Sequence, residues 1–128
     1  MIRDISLRKK ASYIIPEIDF FDKRHLIIEN FFEANYNTNK TIHDLAKMLN
    51  VSVRQLDRII QDSFKMSFKN KIIEKRMEIS KNLLRNTKLP VKTIAERVGY
   101  NTESNFYKVF KQKNGHTPAE YRKKYKTS

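Results

Sequence analysis

The chain has 128 residues, with 27 Lys and Arg against 14 Asp and Glu, which gives a net charge of +13. It contains no Cys, which excludes disulfides and thiolate metal ligands, and its two Gly and three Pro favour helices over an all-β fold. The first ten residues lack the apolar core of a signal peptide and no 18-residue apolar run occurs, so we expect a cytoplasmic protein without a membrane partner.

The positive charge is concentrated after residue 40. Residues 1–40 carry seven basic and six acidic side chains, whereas residues 41–128 carry twenty and eight, a net charge of +12. A field of that sign attracts polyanions, of which nucleic acid and anionic membrane are the common cases. A Lys-rich surface can also be simply solvated, so charge alone does not decide the function.

The N-terminal part predicts a tail followed by a helix. Residues 1–20 lack clear periodicity and are interrupted by Pro16, which indicates a tail or an interdomain linker. A first helix is expected from about Asp22 to Asn35. Its apolar positions, all expected to be buried, are Leu26, Ile28, Phe31 and Phe32.

Two short helices with capping signals follow. Thr41, with Asp44 three residues later, opens a helix over Ile42–Leu49. Ser52 with Gln55 is a second capping box and opens a third helix. The face of this third helix that we expect to be buried comprises Leu56, Ile59, Ile60 and Ser63.

One long helix and three shorter ones are expected in the remainder. Ser67 caps a helix over residues 68–86, which is about 28 Å long at 1.5 Å per residue. Pro90 occupies the first position of a helix that stops at Gly99. Asn101 or Thr102 caps a helix from about Glu103 to Gly115, and Thr117 caps a last short helix.

The apolar pattern of residues 42–68 repeats in residues 91–118. Ile42 aligns with Val91, Leu45-Ala46 with Ile94-Ala95, Leu49 with Val98 and, after one inserted residue, Leu56 with Phe106. Each copy predicts a helix-turn-helix unit, whose second helix can lie in a DNA major groove. Two copies joined by one long helix are a stronger signal than a single match.

The chain resembles the DNA-binding domain of the AraC/XylS family of bacterial transcription regulators. The residues that carry the resemblance are Ile42-x-x-Leu45-Ala46-x-x-Leu49-x-Val51-Ser52, Arg76, Leu83-Leu84-x-x-Thr87, Pro90-Val91-x-x-Ile94-Ala95-x-x-Val98-Gly99-Tyr100, Phe106-x-x-Val109-Phe110-Lys111 and Gly115-x-Thr117-Pro118-x-x-Tyr121-Arg122. The sequence departs from the family pattern at Lys65, Lys71 and Ser80.

The resemblance implies an all-α fold of about seven helices, in which two helix-turn-helix subdomains are joined by a long linker helix. The domain would span residues 21–128, with a first unit over about 22–66, the linker helix over 68–86 and a second unit over 90–124. Its implied function is sequence-specific binding of double-stranded DNA for transcription regulation, with RNA polymerase as a further partner. The sequence leaves open whether the chain activates or represses transcription.

The outward faces of the third and sixth helices supply the candidate DNA contacts. At 100° per residue, the faces opposite the apolar stripes and their flanks give the predicted base contacts Arg54, Gln55, Asp57, Arg58, Glu103, Ser104, Asn105, Tyr107 and Lys108. The family resemblance favours Arg54, Asp57, Arg58, Glu103, Ser104, Tyr107 and Lys108 among them. The predicted phosphate contacts are Thr41, Gln61, Lys92, Thr102 and Lys111.

Other function classes fit the sequence less well. The three His residues are scattered and no Gly-rich phosphate loop occurs, so we expect no catalysis, no metal and no cofactor. The alternative is a basic helical bundle that binds protein or RNA, which gives no reason for the repeated units. We expect a chain that needs no small molecule to bind DNA, because residues 1–20 are too short for a sensor domain, or else a fragment of a larger regulator. We also expect a monomer, because the apolar stripes are all used in packing and the net charge of +12 on residues 41–128 repels a second copy.

Overall fold

The computed structural model of the chain describes residues 20–127, which form seven helices and no strands, as the sequence predicts. Most of the predicted tail therefore lies outside the described residues. The helices are α1 Phe20–Asn35, α2 Ile42–Leu49, α3 Val53–Phe64, α4 Phe68–Asn86, α5 Val91–Arg97, α6 Glu103–Asn114 and α7 Pro118–Tyr125. Within this described part, no helix is long and apolar enough to span a bilayer.

The chain divides into two compact units, residues 1–30 and 31–128. In the described part of the unit formed by residues 1–30, Ile28 is fully buried, while Leu26 is 50% exposed. The prediction that Leu26 is buried is therefore wrong. Residues two apart on a helix point about 200° away from each other, so Leu26 and Ile28 cannot share one buried stripe.

The first helix-turn-helix unit is built on an aromatic cluster and a short apolar stripe. The ring of Phe32 lies 5.2 Å from that of Phe68 and 6.1 Å from that of Phe64, between centroids. The buried positions of α2 and α3 are Leu45, Ala46, Leu56 and Ile60. Ile59 and Ser63, which the sequence places on this face, are only half-buried at its edge.

The second unit packs around the C-terminal half of α4. Phe106 and Phe110 are fully buried, with ring centroids 5.6 Å apart, and Tyr121 of α7 contacts Phe110 at 5.5 Å. Burying one such side chain contributes about 1.5–3 kcal/mol. This cluster fixes the orientation of α6. Ser80, at a position where the family often has Ala, is also fully buried, and its hydroxyl donates to the carbonyl oxygen of Met77 at 3.1 Å.

Local capping signals set most helix ends. The three predicted capping boxes, at Thr41, Ser52 and Thr117, are all formed. The prediction that Pro90 is the first residue of a helix is wrong, because Pro90 is the N-cap residue of α5. It has ψ of 150°, so its backbone leaves the helical region. Helix α5 also ends at Arg97, two residues before Gly99.

Candidate nucleic-acid interface

Helix α3 presents a polar face opposite its buried face. Leu56 and Ile60 are completely inaccessible and anchor the helix to its unit. The side chains predicted to contact DNA from this helix are all exposed: Arg54, Gln55, Asp57, Arg58 and Gln61. The structure thus brings the α3 candidates together on one accessible surface.

Helix α6 repeats this arrangement in the second unit. Phe106 and Phe110 anchor it, and Tyr107, between them in sequence, is 46% exposed. The remaining predicted residues of this helix are also exposed: Glu103, Ser104, Asn105, Lys108 and Lys111. Each helix-turn-helix unit therefore offers one exposed polar helix face fixed by a buried core.

The candidate residues Gln55 and Thr102 also take part in the caps that begin α3 and α6. The Gln55 side-chain oxygen accepts from the backbone N–H of Ser52 at 2.9 Å, which leaves its amide group free to donate. The Thr102 hydroxyl accepts from the N–H of Asn105 at 3.1 Å and retains its own proton. Both residues can therefore donate to DNA while they keep the start of a recognition helix in place.

Thr41 has less capacity for a phosphate contact than its position suggests. Its hydroxyl accepts from the N–H of His43 and donates its single proton to the Asp44 carboxylate at 3.2 Å. A hydrogen bond from the Thr41 N–H lowers the pKa of Asp44 below its ordinary value. The geometry favours a structural role for Thr41.

Lys92 is exposed near the start of α5, the first helix of the second unit. Its ammonium group can approach a phosphate without a fixed geometry, as a point charge. Its role stays a prediction, as do those of the other base and phosphate candidates.

The loop after α1 makes hydrogen bonds both with α4 and with the second helix-turn-helix unit. Arg76 of α4 donates from Nε to the carbonyl oxygen of Tyr36 at 2.7 Å, and the Asn37 side chain donates to the carbonyl oxygen of Arg97 at 3.2 Å. Gly99 completes this junction with φ of +105°, and a Cβ there would lie 2.9 Å from both Arg76 Nη2 and the Cα of Asn37. Only glycine fits, because both the backbone and the space exclude a side chain.

Sequence analysis identifies Arg76 and Arg122 only as members of the family pattern and assigns neither of them a role. Arg122 of α7 donates from Nε to the carbonyl oxygen of Leu84 at 3.0 Å and from Nη2 to that of Thr87 at 3.2 Å. It thereby satisfies carbonyl groups at the end of α4.

Charge is distributed unevenly over these elements. Residues 41–66, with α2 and α3, have a net charge of only +1, because Asp44, Asp57 and Asp62 offset most of the cations. Residues 121–128 carry four cations and no acid. Most of the net positive charge therefore lies on residues 67–128, which include α4 and the second helix-turn-helix unit.

Comparison with known proteins gives consistent matches. A family model described as "Helix-turn-helix domain" matches residues 45–124. The Msm operon regulatory protein of Streptococcus mutans is 33% identical over 96 residues, which is 75% of this chain and 34% of that protein. The chain thus spans about a third of the length of the curated relatives that it matches.

Solved structures match over most of the chain. The C-terminal domain of AraT, a response regulator from Geobacillus stearothermophilus, is 32% identical with a TM-score of 0.76, covering 87% of this chain and 90% of that one. The C-terminal domain of the two-component response regulator yesN from Fusobacterium nucleatum is 32% identical with a TM-score of 0.73, covering 79% and 98%.

Proposed function

Because the chain belongs to the AraC/XylS family of helix-turn-helix transcription regulators, we propose that it binds one duplex site with α3 and α6 in successive major grooves. The observation that carries this proposal is the repeated exposed face: each helix presents polar and basic side chains opposite a completely buried apolar pair. An α-helix of this kind fits the width of the major groove of B-DNA.

The scaffold between the recognition helices supports simultaneous binding. Helix α4 has 19 residues and is about 28 Å long. Its Lys75 joins it to Glu33 of α1, because the ammonium group donates to the Glu33 carboxylate at 2.9 Å. This hydrogen bond raises the pKa of Lys75. Successive major grooves are about 34 Å apart. If α3 and α6 are closer together than this, the DNA must bend toward the protein, at a cost of about 1–6 kcal/mol.

The exposed side chains suit distinct base edges. Arg54 and Arg58 can bind guanine O6 and N7 through the guanidinium fork, and Asp57 can accept from cytosine N4. On α6, Asn105 suits adenine and Lys108 suits guanine. Because the two faces differ in composition, we propose an asymmetric site that one chain reads without a two-fold axis.

The proposal extends to the cellular role. We propose that the chain acts in the bacterial cytoplasm as a non-enzymatic regulator, that it binds as a monomer, and that RNA polymerase is a partner. The similarity to the Msm operon regulatory protein of Streptococcus mutans supports the regulatory part. The basic-bundle alternative, with RNA or protein as its target, gives no account of two equivalent exposed helices.

Selection from a random duplex library followed by hydroxyl-radical footprinting tests the proposal. The expected result is an asymmetric sequence of about two helical turns, protected on one face by one chain. Lys81→Ala, which removes a charge from α4 outside both recognition helices, serves as the control and should leave the selected sequence unchanged. Equal affinity for all duplexes, or tighter binding to single-stranded RNA, would contradict the proposal.

A further inference from the structure

The end of α4, the segment that leads to α5 and the end of α7 enclose a basic cavity of about 430 Å³, here called the basic cradle. It belongs to neither recognition helix, and none of the predicted DNA contacts lines it. The residues of the basic cradle that carry the argument are Arg85, Thr87, Lys88, Arg122, Lys126 and Thr127.

Hydrogen bonds hold the walls of the basic cradle in place. The two bonds from Arg122 to the carbonyl oxygens of Leu84 and Thr87 use two of its five N–H donors, so three remain. Arg85 donates from Nη1 to the Tyr121 hydroxyl at 3.1 Å, and its carbonyl oxygen accepts from the N–H of Thr127 at 3.1 Å. The guanidinium groups of Arg85 and Arg122 are therefore pre-positioned, which reduces the entropy lost on binding.

The charge balance of the basic cradle favours an anion. It contains four cations, at residues 85, 88, 122 and 126, no acidic side chain lines it, and in the described residues none of the four forms an ion pair with a carboxylate. The C-terminal ends of α4 and α7 oppose an anion with about half a negative charge each. Four positive charges exceed that opposing charge, so the cavity remains strongly attractive to a phosphate group.

We propose that the basic cradle binds a backbone phosphate of the DNA, beyond the major groove that α6 occupies. This inference rests on the proposed function. Thr87 and Lys88 directly precede Pro90 and α5, and in helix-turn-helix docking the first helix of the unit crosses the DNA backbone. A strand that passes the start of α5 therefore meets the basic cradle next, and the cradle extends the contact at the end of the site.

The double variant Lys88→Ala/Lys126→Ala tests the proposal, because both side chains are exposed and neither forms a structural hydrogen bond in the described residues. Affinity of the full chain for a fluorescein-labelled duplex of about 30 base pairs, selected as above, is measured by anisotropy between about 50 and 200 mM KCl. Loss of one phosphate contact should lower the slope of log affinity against log salt by about 0.9. Lys81 lies on α4 but lines a different cavity, together with Glu78. Lys81→Ala is therefore the control, and it should leave the slope unchanged.

Two further measurements locate the contact. In footprinting, the double variant should lose backbone protection only at the outer edge of the α6 half of the site. On a duplex shortened by about five base pairs at that end, wild type and double variant should bind equally. These results together support the assignment to a flanking phosphate.

An unchanged slope and an unchanged footprint edge would overturn the inference while leaving the proposed function intact. Saturable binding of tripolyphosphate or of poly-glutamate that the double variant abolishes, without any change in the DNA slope, would also overturn it in favour of a free anion or an acidic protein. Failure of the wild-type chain to bind any duplex would overturn the proposed function and this inference together.

Discussion

Arg76 and Tyr100 form a stacked pair at the junction of the two helix-turn-helix units, with the guanidinium carbon 4.8 Å from the ring centroid. Burial raises the pKa of Tyr100, while the adjacent guanidinium acts in the opposite direction. Since Arg76 also binds the Tyr36 carbonyl oxygen, one side chain of α4 holds the loop after α1 and the turn between α5 and α6. The relative position of α3 and α6 depends on this junction.

Arg76→Ala should lower the free energy of unfolding by about 1–3 kcal/mol, because it leaves a partly buried carbonyl group without its donor and removes a cation–π contact. Urea denaturation measures the change. Arg76→Lys should recover only part of it, since an ammonium group cannot reproduce the planar fork. Arg54→Ala, at an exposed position, is the control, and an equal loss of stability in both alanine variants would contradict the role of the junction.

Arg58→Ala should weaken binding to the selected duplex by about 1–3 kcal/mol and relax the preference at one or two base pairs, because it removes a bidentate contact to guanine. Competition with single-base variants of the duplex measures the preference. An equal loss of affinity for selected and random duplexes would show that Arg58 contacts phosphate instead.

Lys111→Ala should behave differently, because Lys111 is exposed late in α6, where we predict a phosphate contact. It should weaken binding to all duplexes alike and lower the salt slope by about one. Affinity titrations at several KCl concentrations on selected and random duplexes test this. A change in base preference without a change in slope would assign Lys111 to base recognition.

Lys65→Gly should raise the free energy of unfolding by about 0.5–1 kcal/mol, because Lys65 ends α3 in the left-handed region with φ of 59°. Glycine adopts this conformation without strain. It also makes the unfolded chain more flexible, which offsets part of the gain. Asn50→Gly is a matched control at φ of 56° and should stabilise less, since Asn tolerates the same region. Chemical denaturation at constant m-value measures both, and a destabilised Lys65→Gly would contradict the argument.

Two capping carboxylates should make stability fall in acid. Backbone hydrogen bonds from Thr41 and Thr117 lower the pKa values of Asp44 and Glu120 below their ordinary values of 3.8 and 4.5. A lowered folded-state pKa means that the unfolded chain binds more protons, so this stabilisation is complete above the ordinary values and is lost as pH falls through the lowered ones. Asp44→Asn and Glu120→Gln should each reduce the decline in thermal stability below about pH 4.5. A decline identical to that of the wild type would contradict this origin.

Sequence patterns predicted the helix caps and helix faces, which depend on residues close in sequence. They did not predict the hydrogen bonds that join residues far apart in sequence. Capping boxes join residues three apart, and buried stripes follow a fixed period, so the ends of α2, α3 and α7 and the exposed faces of α3 and α6 were accessible to pattern analysis. Arg76 and Arg122 contact carbonyl groups 40 and 38 residues away, at Tyr36 and Leu84. No local pattern encodes such a contact. Leu26 is exposed because it lies about 200° around α1 from the buried Ile28.

The chain should bind DNA as a monomer, with one chain per site. The large apolar side chains that are exposed in the described residues are Leu26, Ile27, Met48, Tyr107 and Tyr125. They lie on four different helices, only Leu26 and Ile27 are adjacent in sequence, and scattered exposed apolar residues do not by themselves make an interface. The net charge of +12 on residues 41–128 adds repulsion between copies at low salt. Analytical ultracentrifugation of the purified chain, alone and with a selected labelled duplex, should give one chain in solution and a 1:1 complex. A stable dimer without DNA, or a 2:1 complex on a palindromic site, would contradict both this prediction and the asymmetric reading of two grooves by one chain.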